Sequence, residues 1–235
     1  MTTATAKPKS EKRRRVPRER DLGATRVDVL DILRERIAQY QLPPGAKLNE
    51  NELATEFNVP RTRIRDAFTV LEQRGLIERI PNRGAIVARL DPEQVFHIYD
   101  MREVLEGLCA RLACQNSDPA SWQDLLGQFS GPVEAAVKKG DFEAYTAIYD
   151  SFRRRCIKAA ANPVLAEALD SIYEKTQVLI RRIVILPGRG EIGVKEHRAV
   201  LEAMRAGDPY EAERLRRENI RNAKAYLTRY IKYVL

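Results

Sequence analysis

Basic side chains cluster where the sequence predicts the start of a helix, at Arg61, Arg63 and Arg65, with Thr62 beside them. Arg61 and Arg65 are one helical turn apart and lie outside the apolar stripe of that helix. A guanidinium group can donate two parallel hydrogen bonds to O6 and N7 of guanine, and helix N-termini attract phosphate. The cluster is therefore typical of a helix that enters the DNA major groove. Asp66 could tether one arginine or reject a wrong base, and a solvated face of Arg–Asp pairs is the alternative interpretation.

The elements around this cluster predict a winged helix-turn-helix. Apolar periodicity and turn residues indicate three helices and then two strands, at residues 25–40, 50–57, 61–74, 76–80 and 85–89. Thr25 is expected to cap the first helix, and Gly75 is expected to end the third. The third helix is expected to bury one apolar face, which consists of Ile64, Ala67, Phe68 and Leu71. In this order of elements the third helix is the one that reads DNA.

From Pro92 onward the sequence predicts helices throughout. Apolar residues recur at steps of three and four, and proline or glycine breaks separate about six helices. We therefore expect a mostly α fold in which a winged helix-turn-helix domain, residues 25–90, precedes an antiparallel all-α bundle, residues 91–235. Two histidines and three scattered cysteines leave little material for a zinc site made by the protein alone.

The first 24 residues form a basic segment. Residues 1–20 contain eight basic and two acidic side chains, and the segment has almost no large apolar residues, so a disordered tail is expected. It could be a phosphate-binding arm or only a solubilising tail; in the first case the chain could be a non-specific DNA-binding protein that acts through it. No apolar run is long enough to cross a bilayer and no secretory signal is present, so a cytoplasmic protein without membrane partners is expected.

Residues 26–89 resemble the DNA-binding domain of GntR-family transcriptional regulators. The resemblance is carried nearly continuously by the segments 42–50, 53–54, 59–68, 71–77 and 81–87, the third of which reads VPRTRIRDAF. It implies that Arg61 and Arg65 contact DNA and that Arg83 and Gly84, at the tip of the hairpin, reach the minor groove. Two positions depart from the family pattern, since Pro60 replaces the usual Ser or Thr and Arg63 replaces a common Pro. The order of bases in the operator is therefore not given by the resemblance.

The second half resembles the FCD-type effector domain of the FadR subgroup of that family. The matching pieces are at 101–106, 161–165 and 196–204, with Gly207 and Asp208 following. Many such domains hold a divalent metal with one Asp and three His. In this chain the resemblance puts those four positions on Tyr149, Arg153, His197 and Asn219, so three of the four ligands are missing. One histidine cannot hold such an ion, and no metal or other cofactor is expected.

We expect Arg153 to replace the charge of the missing metal. A guanidinium can bind a carboxylate directly with two hydrogen bonds, and Tyr149 lies one turn earlier on the same helix. His197, Asn219 and Arg102 are expected to complete a polar pocket for a small organic acid within the apolar bundle. The alternatives are that Arg153 is solvated or paired with an acidic residue, or that a metal-dependent effector site persists.

These features together predict a sequence-specific, DNA-binding transcriptional regulator and not an enzyme. No phosphate-binding loop, nucleophile elbow or catalytic triad motif is recognisable in the sequence. The resemblance implies a homodimer held together by the helical bundles and bound to double-stranded DNA at a palindromic operator. Repression is the commoner mode in the family. An effector in the bundle is expected to change the affinity for the operator.

Overall fold

The computed structural model describes residues 28–80, 84–89 and 91–234. Its N-terminal unit is a winged helix-turn-helix, as the sequence predicts. The unit comprises three helices, α1 (Val29–Ala38), α2 (Glu50–Glu56) and α3 (Arg61–Gln73), and three strands, β1 (Lys47–Leu48), β2 (Ile77–Ile80) and β3 (Gly84–Val87). The strands form one antiparallel sheet in the order β1-β3-β2, with Ile77 paired to Val87 and Leu48 paired to Ala85.

The core of this unit is the predicted apolar face of α3. Ile64, Ala67, Phe68 and Leu71 are all buried, and they pack with buried side chains of α1 and of the sheet such as Leu33. Burying each large apolar side chain contributes about 1.5–3 kcal/mol. This packing fixes the opposite side of α3, which carries the arginines, toward solvent.

The start of α1 differs from the sequence expectation, whereas α3 begins at Arg61 as predicted. The cap of α1 is Asp28, whose Oδ1 accepts hydrogen bonds from the backbone N–H groups of Leu30 and Asp31, while Thr25 lies outside the described residues. Pro60 occupies the cap position of α3 and has no side chain that can accept a hydrogen bond there. The exposed N–H groups of α3 are therefore left for solvent or a ligand.

The second unit is the expected antiparallel all-α bundle, with seven α-helices in the described part of the chain where about six were predicted. They are α4 (Pro92–Gln115), α5 (Gln123–Phe129), α6 (Pro132–Lys138), α7 (Phe142–Ala160), α8 (Pro163–Val184), α9 (Arg189–Ala206) and α10 (Pro209–Val234), with a short 3₁₀ helix at Pro119–Trp122. The largest buried side chain is Trp122. Within the described ranges, no helix is long and apolar enough to span a membrane.

One helix of the bundle, α8, carries the contacts to the DNA-binding unit. The buried carboxylate of Glu174 accepts hydrogen bonds from Arg34 on α1 and from Arg74, which caps the end of α3, the latter at 2.5 Å. In its last turn α8 also presents Arg182, whose guanidinium lies 4.6 Å from the ring centre of Tyr40 and donates a hydrogen bond to its hydroxyl. The orientation of α3 is thus tied to α8.

Substitution of Gly84 tests the local geometry of the wing. Gly84 has φ +89°, and a Cβ placed there would lie 2.8 Å from the carbonyl oxygen of Leu48. We expect Gly84→Ala to lower the free energy of unfolding by about 1–3 kcal/mol, measured by urea titration, because the backbone is strained and the strands must separate. The control is Gly127→Ala within α5, where a Cβ meets nothing within 4 Å and alanine favours the helix. An equal stability of Gly84→Ala and the wild type would contradict this account.

Candidate DNA interface and effector pocket

The arginines at the start of α3 are held outward by one carboxylate of α2. Glu50 Oε2 lies 3.1 Å from Nη2 of Arg61 and 2.8 Å from Nε of Arg65, and both arginine side chains are about half exposed. Partial burial of Glu50 raises its pKa, but the two arginines outweigh this effect and the net pKa is lowered. The carboxylate therefore stays charged and orders two guanidinium groups side by side at the N-terminus of α3.

This role of Glu50 was not predicted from the sequence. Asp66 was predicted to tether an arginine or to reject a wrong base, and it forms no ion pair within the described ranges. Asp66 is near the arginines in the sequence. Glu50 is near them only in the folded structure, where the N-terminal end of α2 lies beside that of α3. The sequence did contain one signal for this role. Asn49 is a good helix cap, so Glu50 could have been recognised as an acidic residue in the first turn of the preceding helix.

Three of the other four residues predicted to contact DNA lie in the described part of the chain. Thr62 and Arg63 are exposed on the first turn of α3, beside Arg61 and Arg65. Gly84 begins β3 and has a positive φ. Because it lacks a side chain, its backbone can lie close to the backbone of β1, so the glycine has a structural role besides the predicted contact with DNA. Arg83 lies outside the described residues.

Four of the five residues predicted to bind an effector meet inside the bundle. Arg102 on α4, Tyr149 on α7, His197 on α9 and Asn219 on α10 are all buried and line one small cavity of about 40 Å³. Arg102 donates to the hydroxyl of Tyr149 at 3.2 Å. Four helices that are distant in sequence thus place polar groups around a single point.

His197 is neutral and its tautomer is fixed by its neighbours. A guanidinium only donates, so Nε2 of His197 accepts from Nη1 of Arg216 at 2.9 Å, and the proton sits on Nδ1, which donates to the carbonyl of Gly193 at 2.7 Å. The ring also stacks on Phe129, with 5.2 Å between centroids. Burial, followed by the charge of Arg216, lowers the pKa of His197 to about 3.

Gly193 is required for this arrangement. A Cβ at Gly193 would lie 2.5 Å from the hydroxyl oxygen of Tyr145, which itself lies 3.2 Å from Nδ1 of His197. Any larger residue on this turn of α9 would push Tyr145 away from the imidazole.

Arg216 is the centre of the cluster, and the sequence reasoning missed it. Besides His197, it donates to Oδ1 of Asn219 at 2.6 Å and to Oε2 of Glu106. Burial raises the pKa of Glu106, but Arg216 and Arg102 outweigh this, and the pKa is lowered to about 2. The spacing in the sequence could have indicated this cluster. Glu106 lies four residues after Arg102, and Arg216 lies three residues before Asn219, so each pair shares one helix face.

Arg153 does not line the pocket around His197, where the sequence predicted it. Its Nη1 lies 3.1 Å from Oδ1 of Asp170, and its guanidinium covers the ring of Tyr173 at 3.6 Å from the centroid. It lines a neighbouring cavity together with Arg216 and Glu106, and its Nε is buried without a hydrogen-bond partner among the described residues. The expectation that Arg153 supplies the pocket's cation is therefore corrected: Arg216 holds that position, because it reaches from α10 into the space between the helices.

The donor set around His197 does not fit a divalent metal. Nε2 of His197 and Oδ1 of Asn219, the two positions left for metal binding, both accept from the guanidinium of Arg216. A fixed cation at that place repels a second one. No group of three or more His, Cys, Asp or Glu side chains within 28–80, 84–89 and 91–234 is arranged to hold a metal ion.

Charge is not balanced in the pocket. Arg189 pairs with Glu196 at 2.8 Å, and Glu196 also accepts from Asn219 at 2.5 Å. With Arg102 and Arg216 against Glu106, the buried cluster contains three guanidinium groups and two carboxylates. Nη1 of Arg102 is buried and has no hydrogen-bond partner among the described residues. An unpaired buried donor on a cation is costly unless an anion fills it.

Comparison with known proteins identifies the family. Residues 25–87 match the bacterial regulatory proteins of the gntR family, and residues 97–222 match the FCD domain. The chain is 31% identical over 186 residues to a "Probable D-xylose utilization operon transcriptional repressor" of Paenarthrobacter nicotinovorans, which covers 79% of this chain and 80% of that protein. The protein therefore belongs to the GntR family of transcriptional regulators with an FCD domain, and it is a DNA-binding regulator rather than an enzyme.

Other relatives agree with this assignment. The "Nta operon transcriptional regulator" of Aminobacter aminovorans is 36% identical over 139 residues, which is 58% of this chain and 64% of that protein. Among solved structures, E. coli McbR/YncC has a TM-score of 0.71 at 22% identity and covers 86% of this chain and 96% of its own. A GntR regulator from Rhodococcus sp. RHA1 has a TM-score of 0.67 at 20% identity, over 85% of this chain and 95% of its own. These two structures support the fold.

The buried imidazole makes stability depend on pH. His197 has a folded pKa near 3 and an unfolded value near 6.5, so its contribution to stability is present above pH 6.5 and declines as pH falls toward 3. Between pH 7 and pH 5 we expect the free energy of unfolding to fall by about 2 kcal/mol from this group. His197→Gln should remove that slope in urea titrations at several pH values. The exposed His97 is the matched control, and an unchanged slope in His197→Gln would contradict the assignment.

Proposed function

We propose that this regulator is a repressor of an operon, binds a palindromic operator as a homodimer, and is controlled by a small carboxylate bound beside Arg102. The single observation that supports the effector most directly is the unpartnered Nη1 of Arg102, in a cavity whose described lining includes Arg102 and Arg189 and no carboxylate. Repression is proposed because the Paenarthrobacter relative is named as a probable transcriptional repressor. The cavity's volume of about 40 Å³ limits the effector to a short acid of a few heavy atoms.

The proposed contacts to DNA are made by the first turns of α3. Arg61 and Arg65 stand side by side on Glu50, and Thr62 and Arg63 are exposed beside them. Guanidinium groups so placed can bind guanine edges or phosphates once α3 lies in the major groove. The proposed wing contacts, from Arg83 and Gly84, would be made in the adjacent minor groove.

Dimerisation is proposed through α4. Met101 and Val104, nearly one turn apart on this helix, are 54% and 52% exposed, an unusual placement for two large apolar side chains on one face. A second copy of the chain would cover them by two-fold symmetry, and a palindromic operator would match that symmetry.

An alanine substitution tests the recognition helix. In gel-shift titrations on a duplex that the wild-type chain has selected from a random pool, Arg65→Ala should bind about 5- to 150-fold more weakly, equivalent to about 1–3 kcal/mol for a lost bidentate contact. Arg205→Ala removes an equally exposed arginine on α9 and should bind like the wild type. Equal affinity of the Arg65 variant would refute the assignment of α3.

A second pair of variants tests the effector pocket. Acetate, propionate and lactate should raise the melting temperature of the wild type, while acetamide and propionamide should not. At 100 times Kd the stabilisation is about 2.7 kcal/mol. Arg102→Met should lose this response because the carboxylate's anchor is removed, and Arg153→Met should keep it because that side chain faces Asp170 and Tyr173. The reverse result would restore Arg153 as the anchor, and no response in the wild type would remove the carboxylate proposal.

A further inference from the structure

A cavity of about 460 Å³ lies between the two domains, separate from the pocket around His197. It is bounded by α1, the residues that follow α3, the wing and α8. Its volume lies within the range of small-molecule sites, which occur preferentially between domains. The pocket around His197 is about a tenth of this size. A molecule of ten or more heavy atoms therefore fits between the domains and not in the bundle.

The cavity has an apolar wall built by both domains. Ile37, Leu76 and Val87 come from the DNA-binding unit, and Leu179 comes from α8. Each is less than a tenth exposed. An apolar body placed there would be in contact with both domains at once, and burying it would gain about 25 cal/mol for each Å² removed from water.

The remaining wall is cationic. Arg89, after the last strand of the wing, and Lys175 on α8 both line the cavity, and neither forms an ion pair with a carboxylate in the described part of the chain. Glu174 is the carboxylate in the lining, and its charge is already shared by Arg34 and Arg74. The cavity therefore attracts an anion.

Glu174 adds a second and independent sign of a missing partner. The side chain is 7% exposed, and its Oε1 accepts from both arginines. Its other oxygen, Oε2, is buried and accepts no hydrogen bond from any described residue. A buried carboxylate oxygen without a donor costs free energy comparable to a lost hydrogen bond to a charged group. Glu174, which lines the cavity, therefore lacks one partner among the described residues.

We propose that the space between the domains is a second ligand site, for an amphipathic organic anion. The apolar body lies against Ile37, Leu76 and Leu179, and the acidic head is held by Arg89 and Lys175.

Such a ligand acts on the orientation of α3 directly. The same Glu174 holds Arg34 and Arg74, so a molecule that fills the cavity braces α1 and α3 against α8. This site is distinct from the one proposed beside Arg102, and either could exist without the other.

A fluorescent probe tests the site on the full-length protein. 8-Anilino-1-naphthalenesulfonate has an aromatic body, a sulfonate and an adjacent N–H group, and N-phenyl-1-naphthylamine is the same body without the sulfonate. We expect one sulfonate dye per chain with enhanced emission, and at least tenfold weaker binding of the neutral dye. The double variant Arg89→Gln/Lys175→Gln should weaken the sulfonate dye at least tenfold, and Ala88→Trp, which fills the cavity, should abolish its binding.

Two controls separate this site from others. Lys139→Gln, an exposed lysine at the end of α6, and Arg102→Met should both bind the sulfonate dye like the wild type. Unchanged affinity in the double variant would overturn the anionic site, and unchanged affinity in Ala88→Trp would overturn the location. Displacement of the dye by propionate, or its loss in Arg102→Met, would place the dye in the bundle pocket and overturn the proposal without affecting the one for short carboxylates.

Discussion

A guanidinium ion buried in an apolar bundle must be surrounded by acceptors, and much of the helical domain is arranged to meet that requirement for Arg216. Burying a charge without partners costs several kcal/mol, so α4 must supply Glu106, α9 must supply His197, and α10 must supply Asn219. The neutral state of His197 follows, because an imidazolium cannot sit beside a guanidinium, and so does the need for Gly193, which lets Tyr145 close over the ring.

The same constraint explains how this domain differs from relatives that hold a metal. A divalent ion and a guanidinium both present positive charge to carboxylates, but the ion needs vacant lone pairs on its ligands, and the guanidinium occupies those lone pairs with its own N–H groups. Asn219 is suited to the second situation, since its Oδ1 accepts from Arg216 while its Nδ2 donates to Glu196.

Local patterns predicted most of the fold, and tertiary contacts decided the rest. The buried face of α3 was predictable because Ile64, Phe68 and Leu71 follow the helical period, whereas the cap of α1 was misassigned because Thr25 and Asp28 are both good caps and only Asp28 precedes the helix that forms. Three pocket residues, Tyr149, His197 and Asn219, were predicted from the family resemblance, and Arg102 was added as a further polar residue. Arg216 was not predicted, because its role depends on the approach of α4 and α10, whose paired residues are 110 positions apart.

Helix α8 contacts both the pocket around His197 and the DNA-binding unit. Ile180 and Ile183 on one side of it line the pocket of Arg102 and His197, while Glu174, about two turns earlier, holds the two arginines of the DNA-binding unit. A rigid helix transmits a shift along its whole length, because packed interfaces change between discrete arrangements rather than deforming continuously. An anion bound at Nη1 of Arg102, as proposed, would shift the cavity wall that Ile180 and Ile183 form. The carboxylate of Glu174 would then carry that movement to Arg74, at the end of the helix whose other end holds Arg61 and Arg65.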